Sequence, residues 1–132
     1  GTTNYQEITT AGAFRWNAYG AGTLTSDASG NITAVSDISI KRNIRPFTRS
    51  IEALRGIKPI LHGYTEESGL DLSRDDYAGF SAQNVQTNIP EATGRMADGK
   101  LTLNDRPILA AMVNAVNAHE SRLAELEKRV PQ

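Results

Sequence analysis

The strongest pattern along the chain lies near its end. Leu109, Met112, Val116, His119, Leu123, Leu126 and Val130 follow one another at alternating steps of three and four. That spacing keeps one stripe of a helix apolar over about three heptads. Asn104 or Asp105 can cap the helix and Pro107 suits its first turn, while no further Pro or Gly interrupts it before Pro131. Two packings fit. In one, the stripe is the a/d seam of a parallel coil of identical helices. Arg122 and Arg129 then fall at g and Glu120 and Glu127 at e, so that Arg122 meets Glu127 of a neighbour. In the other, one amphipathic helix lies on its own domain with the same a/d/e pattern. His119 within the stripe favours the coil, because a polar seam residue sets register and strand number.

Upstream the pattern is shorter and mixed. Thr48–Arg55 predicts a short helix on Ile51 and Leu54, capped by Thr48 and stopped by Gly56 and Lys58-Pro59. Ile60–Tyr64 and Tyr77–Ala82 predict strands, separated by the polar loop Thr65–Asp76, and Gln83–Gln86 predicts one helical turn. Ala97-Asp98-Gly99-Lys100 is turn chemistry before a short strand at Leu101–Leu103. The first part of the chain reads as β structure. Ala13–Tyr19 alternates, with aromatics at Phe14, Trp16 and Tyr19. Gly22–Thr25 and Asn31–Val35 flank the turn-forming Ser26-Asp27-Ala28-Ser29-Gly30, which predicts a hairpin. So small and Gly-rich a piece buries little by itself and is expected to complete a larger β assembly built from several chains.

Composition narrows the functional classes. The 132 residues fit one ordinary domain, or one small domain with a fragment of another. Fourteen basic residues against fifteen acidic ones give a net charge of −1, so there is no global basic field for nucleic acid or an anionic membrane. With no cysteine, disulfides, thiolate metal sites and a cysteine nucleophile are excluded, and His62 and His119 alone make a poor metal cluster. No apolar run approaches the roughly 20 residues of a membrane span. Gly1 opens a stretch without the basic and apolar regions of a signal peptide, so the chain reads as a cut from the middle of a longer protein. Residues 1–35 hold no Lys and no Pro, whereas both appear after Ser36. That shift marks an expected boundary between Val35 and Ser36.

The boundary also holds the candidate chemistry. Ser36 and Lys41 place a hydroxyl and an amine five residues apart. Serine is a weak nucleophile until a base takes its proton, and a lysine serves as that base only where its pKa falls well below the reference of about 10.4. Spacing alone favours a turn-capping serine beside a solvated lysine. Lys41, Arg42, Arg45, Arg49, Arg55 and Lys58 oppose only Glu52 in their stretch, which suits an anion site less well than a solvated face or an inter-chain ion network. Phe14, Trp16 and Tyr19 suit packing better than glycan contact.

A set of motifs in fixed order adds to this. Ser36-Asp37-x-x-x-Lys41-x-Asn43-Ile44 comes first, then Ile51–Pro59 with Ala53-Leu54 and Ile57-Lys58-Pro59. Gly79–Gln86 with Ile89-Pro90-Glu91-Ala92 follows, then Leu101–Asn104 and the long terminal helix. This order, from Ser36 to Val130, resembles the C-terminal intramolecular chaperone of phage tail spikes and tail fibres, the self-cleaving domain of the endosialidase type. Ser26–Asn31 resembles the junctions that precede it. Ile38, Ser39 and Asn84 depart from the family pattern; Asn84 stands where Glu is common.

The resemblance implies autoproteolysis of the Val35–Ser36 bond. Ser36 would attack the carbonyl before it, Lys41 would move the proton, and Asp37 would orient Lys41, offer a backbone N–H to the oxyanion, or cap a turn. Water either hydrolyses an ester or attacks directly. The fold expected is α+β. Residues 1–35 form the end of a β-rich fibre or spike shaft, and residues 36–132 form a trimerisation chaperone with a parallel helical coil. The partner is a homotrimer carrying its own upstream fibre domain, with no cofactor, metal, nucleic acid or membrane, and with host receptor contact only through the parent fibre. Assembly is expected in the host cytoplasm, with the upstream part retained in the virion tail. The alternative is a non-catalytic oligomerisation or receptor-binding tip that stays on the fibre.

Overall fold

The computed structural model describes residues 6–16, 22–27 and 29–131. The fold is mixed: small two-stranded antiparallel hairpins and short helices precede one long C-terminal helix. It divides into two compact units, residues 1–45 and 46–132.

The first unit is made of hairpins. β1 (Gln6–Ile8) pairs with β2 (Phe14–Trp16) in the register Gln6 to Trp16. Positions 17–19 of the Ala13–Tyr19 segment lie outside the described residues. β3 (Thr25–Ser26) pairs with β4 (Ile32–Thr33), so the hairpin expected around Ser26–Gly30 forms. Its turn is closed by Asp27, whose Oδ1 accepts the N–H groups of Ser29 at 2.9 Å and Asn31 at 2.8 Å. Gly30 takes φ +81°, the left-handed region that glycine enters without a side-chain penalty.

The second unit holds the core. α1 (Ile51–Gly56) begins three residues after Thr48, and Ser50 occupies the N-cap position without a side-chain cap bond. The Thr48 cap expected from sequence is therefore incorrect. β5 (Pro59–His62) and β6 (Tyr77–Phe80) pair antiparallel from Pro59–Phe80 to His62–Tyr77, as two of the expected strands. A 3₁₀ turn at Glu66–Ser68 interrupts the loop between them. α2 (Ala82–Asn88) is longer than the single turn expected, because Ser81 leaves the strand and accepts the N–H of Asn84 as its cap. β7 (Thr93–Arg95), invisible in the sequence, pairs with β8 (Leu101–Leu103) across the turn at Gly99.

α3 (Asp105–Arg129) starts where expected, with Asn104 accepting the N–H of Arg106. Its packed face is not the expected stripe. Ile108, Ala111 and Ala115 are buried, and Ile108 and Ala111 join Val85, Ile89 and Ala92 in the core with Phe47, Leu54, Ile57, Phe80 and Leu103 around them. Leu109, Met112, Val116, Leu123, Leu126 and Val130 are 48–65% exposed, and His119 is exposed as well. The stripe is thus not the face that packs on its own domain. Alanines let α3 approach α1 and the turn at Pro90–Ala92 closely, and the larger side chains of the stripe are left facing away.

Candidate functional site

Ser36 and Lys41 are five residues apart, about 16 Å in an extended chain at 3.3 Å per residue. The structure brings them together. Thr33 ends β4 and its Oγ1 accepts the Val35 N–H at 3.3 Å. A 3₁₀ turn at Ile38–Ile40 then folds the chain back, with the Lys41 N–H donating to the Ile38 carbonyl at 3.1 Å. From that position Lys41 Nζ donates to Ser36 Oγ at 3.1 Å. Both residues are exposed. A hydroxyl and an amine within hydrogen-bond reach, beside the peptide bond whose nitrogen belongs to the hydroxyl's own residue, are the minimum needed to move one proton off the oxygen and onto the amide nitrogen.

Asp37 does not join the pair through its carboxylate. Its Oδ1 accepts the Ser39 N–H at 2.8 Å and caps the 3₁₀ turn. The Ser39 side chain, and after it the Ser39 N–H, hold the Asp37 carboxyl below the usual aspartate value, against a small opposing effect of desolvation; the charge of Lys41 adds least. Asn43, two residues beyond Lys41, adopts φ +53° and is the non-glycine residue of positive φ among those described. Its place in the left-handed region could not be read from spacing; asparagine tolerates that region better than most residues.

The aliphatic side chains nearest the pair find no cover. Val35, Ile38, Ile40 and Ile44 are all exposed. Elsewhere, His62, Tyr64 and Tyr77 stack at the end of the β5–β6 hairpin with centroids 5.2–6.1 Å apart, and the Arg74 guanidinium lies 4.7 Å above the Tyr77 ring. These rings brace a loop. His119 stands exposed on α3. The side chains of Phe14 and Trp16 lie outside the described residues.

The geometry at Ser36 coincides with the start of a family match. Residues 36–94 match the family model described as the chaperone of endosialidase. The resemblance drawn from the ordered motifs is therefore shown for that segment, and the family is one of self-cleaving peptidases. The chain is also similar to the long tail fibre protein Gp37 of Enterobacteria phage K3 and of Enterobacteria phage T2. Each is 28% identical over 104 residues, covering 76% of this chain and 8% of the relative. The chain spans less than a tenth of the length of these tail fibre relatives. Among the described residues, no helix is long and apolar enough to cross a membrane.

Proposed function

We propose that this chain carries an intramolecular chaperone that gathers three copies of a tail fibre, holds their β segments in register and is released by one cut at Val35–Ser36. The observation that carries the reading is the 3.1 Å contact between Lys41 Nζ and Ser36 Oγ at the first residue of the endosialidase-chaperone match. In the reaction, Ser36 Oγ forms a bond to the Val35 carbonyl carbon and the Val35–Ser36 C–N bond breaks. Lys41, as the neutral amine, takes the hydroxyl proton and returns it to the departing α-amine of Ser36. One water then divides the Val35–Ser36 ester, restoring the hydroxyl and leaving a carboxyl on Val35. The direct route, with water attacking under the same pair, has the same balance. Hydroxyl and carbonyl already sit on adjacent groups of one chain, which replaces much of the entropy cost of a bimolecular attack.

The assembly logic is kinetic. Interlocked β trimers have many non-local contacts and form slowly. A coil of α3 helices forms quickly and raises the effective concentration of the attached shafts. The exposed stripe Leu109–Val130 supports such a coil, and the exposed Val35, Ile38, Ile40 and Ile44 support cover of the pair by neighbouring copies. Burial disfavours the charged form of an amine, so cover would make Lys41 a better base. A cut made after folding removes the route back, which is kinetic stability.

The test is an intact-mass time course with denaturing electrophoresis. The expected product is a fragment beginning at Ser36. Ser36→Ala should abolish it without preventing assembly, and Lys41→Ala should slow it severely. Normal processing of Ser36→Ala would overturn the mechanism. Persistence of one full-length species in the wild type would favour a tip retained on the fibre.

A further inference from the structure

The turn that joins Ser36 to Lys41 has very little to hold it. It is three residues long, Ile38–Ile40. Its backbone bonds are Lys41 N–H to Ile38 at 3.1 Å and a long Ile40 N–H to Asp37 at 3.4 Å. No residue of it is buried, and Ile38 and Ile40 are 69% and 66% exposed. A segment without core contacts keeps its shape by local hydrogen bonds alone, and such segments open at little cost. The shortest bond in the turn is the one from the Ser39 N–H to Asp37 Oδ1, at 2.8 Å.

We infer that Asp37 is a positioning residue: its carboxylate closes the 3₁₀ turn through Ser39 and so delivers Lys41 Nζ to Ser36 Oγ, without itself touching the amine or the scissile bond. The inference rests on the Ser36/Lys41 reading and deepens it. It separates two roles that adjacency leaves open. If the negative charge of Asp37 acted on Lys41, the carboxylate would be needed as an anion. If Asp37 acts as a cap, any short side chain with an acceptor oxygen in the same place will do, because asparagine and serine are N-caps of nearly the same quality as aspartate. The physical chemistry of the carboxyl agrees with the cap. Ser39 accounts for most of its stabilisation as an anion, and Lys41 for the least.

The experiment compares Asp37→Ala, Asp37→Asn and Asp37→Ser with the wild type and Ser36→Ala, all as the full chain and all checked for equal oligomer size. Loss of a cap lowers the population of the closed turn, so Asp37→Ala should slow appearance of the Ser36 fragment by about fivefold. Asp37→Asn and Asp37→Ser should stay within about twofold of wild type. The pH profile of Asp37→Ala should keep its wild-type shape at a lower rate, since the cap alters how often the pair forms and not how the amine titrates. Cleavage of Asp37→Asn as slow as that of Asp37→Ala, or a displaced profile, would show that the charge matters and overturn the inference. Wild-type speed in Asp37→Ala would overturn it too. A second readout does not depend on cleavage: amide exchange at Ser39 in the uncut Ser36→Ala protein. Adding Asp37→Ala should raise the Ser39 exchange rate about fivefold, and adding Asp37→Asn should not. Should Ser36→Ala itself still be cut, the dyad reading falls, and Ser39 exchange alone decides whether Asp37 holds the turn.

Discussion

Asn114 Nδ2 donates to the Phe47 carbonyl at 2.7 Å, across 67 positions of sequence. The same amide nitrogen also donates to the Arg49 carbonyl at 2.9 Å. One side chain on α3 thereby satisfies two backbone acceptors of the segment that leads into α1. Asn114→Ala would leave both half-buried carbonyls without that donor, at a cost of about 1–3 kcal/mol. Asn114→Asp should be no better, because a carboxylate accepts and does not donate. Urea unfolding at fixed protein concentration measures the difference as a lower midpoint with an unchanged slope.

The two faces of α3 should separate stability from association. Ile89 is fully buried beneath the packed face, and Ile89→Ala should cost about 2–5 kcal/mol of unfolding free energy. Leu123 is 55% exposed, so Leu123→Asp should leave the unfolding of a dilute single chain nearly unchanged. If the stripe is a seam between copies, the same substitution puts like charges together and abolishes association in light scattering. Cleavage of Val35–Ser36 in that verified monomer would show that one chain suffices for the cut.

Asn43 offers a backbone test beside the dyad. At φ +53° a glycine is relaxed, whereas a β-branched side chain is strained. Asn43→Gly should cut at close to the wild-type rate. Asn43→Val should cut at least several times more slowly if the conformation after Lys41 matters to the pair, as read by intact mass.

The acid limb of stability should be local. Hydrogen bonds from the Asn31 side chain and then its N–H hold the Asp27 carboxyl below the ordinary 3.8, and those from Ser39 do the same for Asp37. A carboxyl depressed in the folded state contributes stability above its unfolded pKa and loses it as pH falls through the folded value. Protection of the Asn31 and Ser39 amides, taken relative to their intrinsic exchange rates, should therefore stay constant across neutral pH and fall only below the ordinary 3.8. A loss of protection at neutral pH would show that other groups hold the turns.

How far the sequence could be read depended on where the signal was stored. α3 was legible because its ends carry it: Asn104 is the cap, and Pro107 sits in the first turn. Its packed face was not legible, since counting large aliphatic residues passes over Ala111 and Ala115, whose value is the close approach they allow. β7 was missed because Thr93-Gly94-Arg95 has no apolar alternation; its partner and the Gly99 turn create it. At the site, five-residue spacing named Ser36 and Lys41, but only the 3₁₀ turn between them says that they meet. Asn84 is a more instructive case. Its Oδ1 accepts the Lys58 N–H at 2.8 Å while its Nδ2 donates to the Gly56 carbonyl at 2.9 Å. A glutamate there can accept the first bond and cannot donate the second, so this departure from the family pattern has a structural use of its own.

The burial pattern of α3 divides the helix in length as well as in face. Every buried residue lies at or before Ala115, and from His119 to Arg129 every residue is exposed. Those eleven positions at the far end draw nothing from the core beneath the first half. They are held by propagation from it and by the weak pairs of Glu125 with Lys128 and Arg129, and helix of that length without packing is marginal in water. If copies associate through the stripe, the far end of α3 should therefore gauge crowding, more frayed in a lone chain and more ordered beside other copies. Far-ultraviolet circular dichroism should read this as helix content that rises with protein concentration.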